Sequence, residues 1–157
     1  VARCIGQSHE SNAEKCMSQP NEVTGTRMSV RLEMCARYHH FDGFSEGAEV
    51  ECLGEGRYRL LDVLGLLPLQ YRDTFEAIGC ADSTPQKPAL QVVRRVEKSG
   101  QRKLSHLLGR DGVQSPRWKS VLGRVEALGG GSAVMFGGIL LISLPNSVRP
   151  PDVGLPS

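Results

Sequence analysis

Aromatic side chains are scarce in this sequence: one Trp, three Tyr and four Phe make up 5% of its 157 residues. That argues against the aromatic-bearing strands on which RNA-recognition modules stack bases. No apolar run approaches the roughly 20 residues that a bilayer-crossing helix needs. The most apolar stretch, 133–144, is interrupted by Gly137 and Gly138 and stopped by Pro145, and it reads as buried core. No charged segment leading into an apolar one opens the chain, so no signal peptide is expected. Asn12, Asn21 and Asn146 all lack the Ser or Thr two positions on that an N-glycosylation acceptor needs. The five cysteines, Cys4, Cys16, Cys35, Cys52 and Cys80, are odd in number, widely spaced and free of any C-x-x-C. They read as mostly buried thiols in a reducing compartment, with a Cys4–Cys16 bridge as the oxidising alternative. The expected address is intracellular, cytoplasm or nucleus, with no membrane partner.

Catalytic and cofactor signatures are missing too. The glycines at 129–131 follow a predicted helix and precede a predicted strand, the reverse of the strand–loop–helix order that brings a helix N-terminus to a phosphate. Gly54-Glu55-Gly56-Arg57-Tyr58-Arg59 lacks the last glycine of a dinucleotide fingerprint, and Gly6-Gln7-Ser8-His9-Glu10 lacks the closing glycine of a nucleophile elbow. Ser105 and His106 are neighbours that would not face each other on a helix. Cys80 would follow a helix end, where the dipole raises a thiol pKa. No cofactor is expected, and the balance favours a binding module over an enzyme.

What the sequence does contain is concentrated charge. Between Arg94 and Arg124 stand nine cations, namely Arg94, Arg95, Lys98, Arg102, Lys103, Arg110, Arg117, Lys119 and Arg124, against only Glu97 and Asp111. The stretch carries +7 in a chain of net +2, which leaves −5 for the remainder. Such asymmetry speaks to partners rather than to fold. Lys and Arg supply most non-specific affinity for nucleic acid by releasing counterions from phosphates. The expected contact set is Arg94, Arg95, Lys98, Arg102, Lys103, Arg117, Lys119 and Arg124, on DNA, RNA or another polyanion.

The patterning predicts an α+β domain over 23–145, between a polar flexible arm (1–22) and a Pro-rich disordered tail (146–157). Its first half reads as an antiparallel hairpin or meander, and its basic second half as short helices and strands. Met28, Val30, Leu32, Met34 and Ala36 alternate with Ser29, Arg31, Glu33 and Cys35, a period-two strand. Ala48, Val50 and Cys52 alternate with Glu49 and Glu51, and an antiparallel pair of the two would set Arg31 across from Glu49 or Glu51. A third strand starts near Tyr58. Tyr71, Phe75 and Ile78 at i, i+4, i+7 predict a helix over 69–78, and 90–96 reads as a strand. A short helix over 102–108, a seven-residue connection and a helix from Pro116 loosely resemble a helix-turn-helix. That last helix has the strongest signals: Ser115 as N-cap, Pro116 at its first position, an apolar stripe of Trp118, Val121, Leu122, Val125 and Leu128, and Gly129 as its stop. Trp118 is expected in the core, and Arg117, Lys119 and Arg124 in water. A strand over 139–144 completes the set.

Two alternatives accompany the phosphate reading. Cys35, His39, His40 and Asp42, joined by Cys52 from the neighbouring strand, are zinc-ligand types, which implies a metal-dependent enzyme. Cys4, His9 and Cys16 form a second, weaker trio. The other alternative is an adaptor whose basic face docks an acidic protein partner.

Overall fold

The computed structural model describes residues 24–157, so the expected N-terminal arm and the Cys4, His9 and Cys16 trio lie outside the described residues. The described chain is mostly antiparallel β-sheet with little helix, an α+β fold weighted toward β. Its first five strands are β1 (Arg27–Met34), β2 (Ser45–Gly54), β3 (Arg57–Leu60), β4 (Thr74–Gly79) and β5 (Ala89–Glu97). They run antiparallel in sequence order and close into a barrel where β5 lies parallel to β1, from Arg31 opposite Ala89 to Met34 opposite Val92. Alternation fills the interior. Val30, Leu32 and Met34 meet Ala48, Val50 and Cys52, then Tyr58, Leu60, Phe75, Ala77, Leu90 and Val92. Tyr58 and Phe75 stack with ring centroids 5.8 Å apart. Leu64, Leu67 and Leu69, from the irregular connection between β3 and β4, add to the same core.

The hairpin of β1 and β2 is the expected one, but its register differs. Arg31 faces Gly47, while Glu49 faces Ser29 and Glu51 faces Arg27. Arg31 instead reaches the 81–88 connection, where its guanidinium donates to both oxygens of Asp82 at 2.7 and 2.8 Å.

The helix expected over 69–78 is absent, and the second half of the segment, from Thr74, belongs to β4. Arg72 adopts φ 68, and the Asp73 carboxylate accepts the Gln70 N–H at 2.8 Å, a local bond that competes with helix hydrogen bonding. Beyond them Thr74, Phe75 and Ile78 suit a strand. Phe75 and Ala77 point inward while Ile78 is exposed, so the helical spacing of Tyr71, Phe75 and Ile78 was coincidental.

The second half is a three-stranded antiparallel sheet in the order β6-β8-β7, with one α-helix. Its strands are β6 (Gln101–Leu107), β7 (Gly131–Met135) and β8 (Ile139–Pro145), and the helix is α1 (Pro116–Ala127). The helix expected over 102–108 is therefore β6, and the helix-turn-helix reading fails with it. The reason is tertiary: β8 is almost wholly buried and needs a hydrogen-bonding partner on each edge, and β6 supplies one of them. The strand β7 was not expected at all. Directly paired residues share a face of a sheet. Hence His106, Leu140 and Val134 look toward α1, and Leu107, Ile139 and Met135 look the other way.

The helix α1 is as read. Ser115 Oγ accepts the Trp118 N–H, Pro116 takes the first position, and Trp118, Val121 and Val125 are buried. Leu128 is the exception in the stripe, because it caps the helix and is exposed. Residues 146–157, expected as disordered, instead fold back. The turn Pro150–Val153 places Val153 and, just beyond it, Leu155 among Trp118, Val121, Val125, Leu140, Ile142 and Leu144. Prolines here fix a turn rather than prevent one. Gly154 stands at φ 87 where the chain passes Val121.

Candidate functional site

The eight cations of the expected contact set are dispersed, and half of them are bonded to the protein itself. Arg94 on β5 grips Glu76 of β4 through two bonds of 2.7 and 2.9 Å, and this holds the Glu76 carboxyl below the usual carboxylate range. Arg95, one residue on, lies 3.5 Å from the buried Asp73. Arg102 on β6 donates to the Val148 carbonyl and ties the C-terminal segment to the sheet. Lys103 points to the opposite face, where its ammonium donates to the Leu64 carbonyl at 2.6 Å. Burial lowers the Lys103 pKa below the ordinary lysine value, while Glu46 nearby acts in the opposite direction.

Glu46 is itself part of that joint. Its carboxylate accepts the N–H groups of Gly65, Leu66 and Leu67 at 2.7, 2.9 and 3.3 Å. Glu46 and Lys103 thus hold the 61–69 connection from its two sides, Glu46 from the barrel and Lys103 from the second sheet. These charges serve architecture: each satisfies backbone groups that would otherwise be left without partners where two layers meet.

Lys98, Arg117, Lys119 and Arg124 remain, all exposed and none in an ion pair among the described residues. Lys98 lies near Met34, Tyr38 and Leu69 at an end of the barrel. The other three sit on α1 but not on one side of it. At 3.6 residues per turn, Arg117 and Arg124 share a flank about two turns apart, whereas Lys119 lies nearly opposite Arg117. Arg117 also covers the Trp118 ring at 5.4 Å, a cation–π contact that steadies the guanidinium. The turn at Pro150–Val153 packs on α1, with Gly154 beside Arg124, and it brings Arg149 into the same region. Arg149 is exposed and is bonded to Asp152 at 3.0 Å. Sequence reasoning missed it because it fell within the expected tail.

The proposed ligand cluster does not assemble. Cys35 donates its thiol to the Val93 carbonyl at 3.6 Å, and Cys52 is buried inside the barrel. His39 and His40 sit on the exposed turn Ala36–Phe41, with ring centroids 4.0 Å apart. Among the described residues no three His, Cys, Asp or Glu side chains gather in a way that could hold a metal ion. The thiol of Cys80 is pushed up to about 11, mainly by burial and secondarily by Glu33. The upward direction agrees with the sequence reading but the cause does not, since a strand rather than a helix precedes Cys80.

No known protein family matches the sequence, and no curated protein does. One solved structure is similar, described as "Novel crystal structure of a hypothetical protein from Neisseria gonorrhoeae". The likeness covers 80% of this chain and 82% of that one, with a TM-score of 0.50 and 13% identity. It is a likeness of fold alone. No helix among the described residues is long and apolar enough to cross a membrane.

Proposed function

We propose that this chain is a binding module that contacts nucleic-acid phosphates, with Arg117 and Arg124 on one flank of α1 at the centre of the contact set. The observation that carries this reading is that both guanidiniums are exposed, lie two turns apart on one side of a well-capped helix, and have no carboxylate partner among the described residues. Arg149, beside the adjoining turn, is paired with Asp152 and adds little to them. Arg94, Arg95, Arg102 and Lys103 are bonded within the protein, so they contribute less than their number implies. Lys98 and Lys119 point elsewhere and add only long-range attraction.

The test is anisotropy of labelled single- and double-stranded oligonucleotides titrated with the protein at several salt concentrations. Affinity should fall linearly with log salt, with a slope of about 0.9 per phosphate contacted on duplex DNA. Replacing Arg117 and Arg124 together with Ala should lower that slope by about two contacts and leave stability nearly unchanged, because neither side chain is buried. Absence of binding at low salt, or equal binding by the double variant, would overturn the proposal.

The adaptor reading, a domain docking an acidic protein, stands beside it. One observation favours it: the opposite flank of α1 borders a groove.

A further inference from the structure

The edge of β7 is unpaired among the described residues, since β7 bonds to β8 alone and the barrel strands pair only with one another. The start of that edge, Gly131 and Ser132, also lies in a groove. A cavity of about 580 Å³ is bounded on one side by the Lys119, Leu122 and Glu126 flank of α1 and on the other by Leu61 and Tyr71, with Gly130 to Ser132 along it. Gly131 runs directly beneath the Tyr71 ring, where a Cβ would stand 3.2 Å from ring atoms.

Exposed strand edges invite pairing with other chains, and proteins normally blunt them with charge, proline or a bulge. The two edges of this sheet differ in that respect. The β6 strand, Gln-Arg-Lys-Leu-Ser-His-Leu, carries Arg102 and Lys103. The β7 strand, Gly-Ser-Ala-Val-Met, carries neither charge nor proline. Its Val134 is 46% exposed, and Phe136, in the turn that follows, is 83% exposed. That Phe holds φ 51, a conformation a bulky residue rarely adopts, so the chain displays an aromatic at a strained position beside an unprotected edge.

From these features we infer that the groove captures an extended peptide segment of another protein, which adds to β7 as a fourth strand of the sheet. Backbone hydrogen bonds to the β7 edge would supply affinity, and alternate side chains would supply specificity. One set of side chains would meet the α1 wall and the other the Tyr71 wall. The α1 wall carries Lys119, exposed and without an ion pair among the described residues, and the peptide residue beside it is accordingly acidic. Glu126, seven residues further, lies about 10 Å along the helix, and it disfavours a second acidic residue at that end. A second copy of this chain is a poor occupant. The start of its own β7 is walled by the same α1 and Tyr71 side chains, so two such edges could not pair along their whole length.

The inference goes beyond the phosphate reading and does not depend on it. The test pans a phage-displayed library of random ten-residue peptides on the full chain, then measures the selected peptides in labelled form. Expected is enrichment of sequences that alternate apolar residues around one acidic position, with amide exchange of Ser132 to Met135 slowed in the complex. Lys119→Glu should weaken the selected peptides by about tenfold, and Val134→Lys should do the same by charging the edge. Both positions are exposed, so both variants should fold, and Val134→Lys, which lies outside the phosphate contact set, should bind oligonucleotides at least as well as the parent does. The inference is overturned if no peptide is enriched, or if the enriched peptides bind both variants undiminished. It is also overturned if the parent chain proves to be a dimer that Val134→Lys dissociates, since a second copy would then hold the edge.

Discussion

Replacing Asp73 with Ala should be among the most damaging single changes in this protein. The Asp73 side chain is 1% exposed and holds together three parts of the chain. One oxygen accepts the Ser99 N–H at 2.8 Å, from the turn that leads out of the barrel into β6. The other accepts the Gln70 N–H at 2.8 Å, and Arg95 stands 3.5 Å away. Hydrogen bonds to a charged group are worth about 1.5–3 kcal/mol each, and truncation leaves both donors unsatisfied, so the loss should be about 3–6 kcal/mol. That is a large share of a typical total of about 5–15 kcal/mol. Arg95 contributes less. Its contact is long and its side chain is one-third exposed, so Arg95→Ala should cost about 1 kcal/mol or less. Asp73→Asn should fall between the two, because a carboxamide keeps one acceptor but turns an NH₂ toward one of the backbone donors. Urea unfolding followed by far-UV circular dichroism and by fluorescence of Trp118 would measure all three, the single tryptophan reporting the second core. An Asp73→Ala loss below about 1 kcal/mol, or an Arg95→Ala loss as large as that of Asp73→Ala, would refute the idea that backbone amides are what hold this carboxylate.

The glycines and thiols supply two further tests. Gly130→Ala would drive a Cβ into the Ser143 carbonyl oxygen and the Val125 side chain, so a loss of about 2–3 kcal/mol is expected in thermal unfolding. Gly65→Ala meets chiefly the flexible thioether of Met135, with the Leu141 side chain next, and should cost about 1 kcal/mol; equal losses would show that the close approach of backbone at Gly130 is not rigid. Cys80 ionises at about 11 in the folded protein against 9.0 for an ordinary thiol. Its folded pKa is the higher one, so its effect on stability is constant below about pH 8 and stability is lost as pH rises from 9.0 toward about 11. Iodoacetamide at pH 8, read by peptide mapping, should modify Cys80 far more slowly in the native protein than in denaturant. Equal rates would refute the burial argument.

The alternating strands β1 and β2 and the apolar run of β8 were legible from the sequence, whereas β4, β6 and β7 were not. β1 and β2 alternate cleanly because the barrel interior takes every second residue and water takes the rest. The helix α1 was legible because Ser115, Pro116 and its apolar stripe agree at every level, which is how locally consistent sequences declare themselves. β6 misled because Lys103 and Arg102 are polar on both faces, yet each face is spoken for, by Leu64 on one side and Val148 on the other. Nothing in a local window reveals partners 39 and 46 positions away. The tail misled for a related reason: a segment rich in proline reads as disordered until Val153 and Leu155 are seen to complete the core beneath Trp118.

The same non-local bonding accounts for the charge run that dominates the sequence. A net +7 over 94–124 invites the image of one basic face, but charge that is contiguous in sequence need not be contiguous in space. Strands alternate their faces and the helix rotates by about 100° per residue, so these cations point in several directions from the barrel strand β5, from β6 and from α1. Where they meet Asp73 or a main-chain carbonyl, they tie separate parts of the chain together, and Arg94 pairs with Glu76 across two neighbouring barrel strands. Where they do not, on the two flanks of α1, they remain available to partners, and the flanks differ. Arg117 and Arg124 look onto open surface, as suits phosphates, while Lys119 overlooks a groove with an unpaired strand edge, as suits a peptide. A Val134→Lys variant that lost peptide but kept oligonucleotide, set against an Arg117/Arg124 double variant that did the reverse, would show that the groove and the arginine flank serve two separate partners.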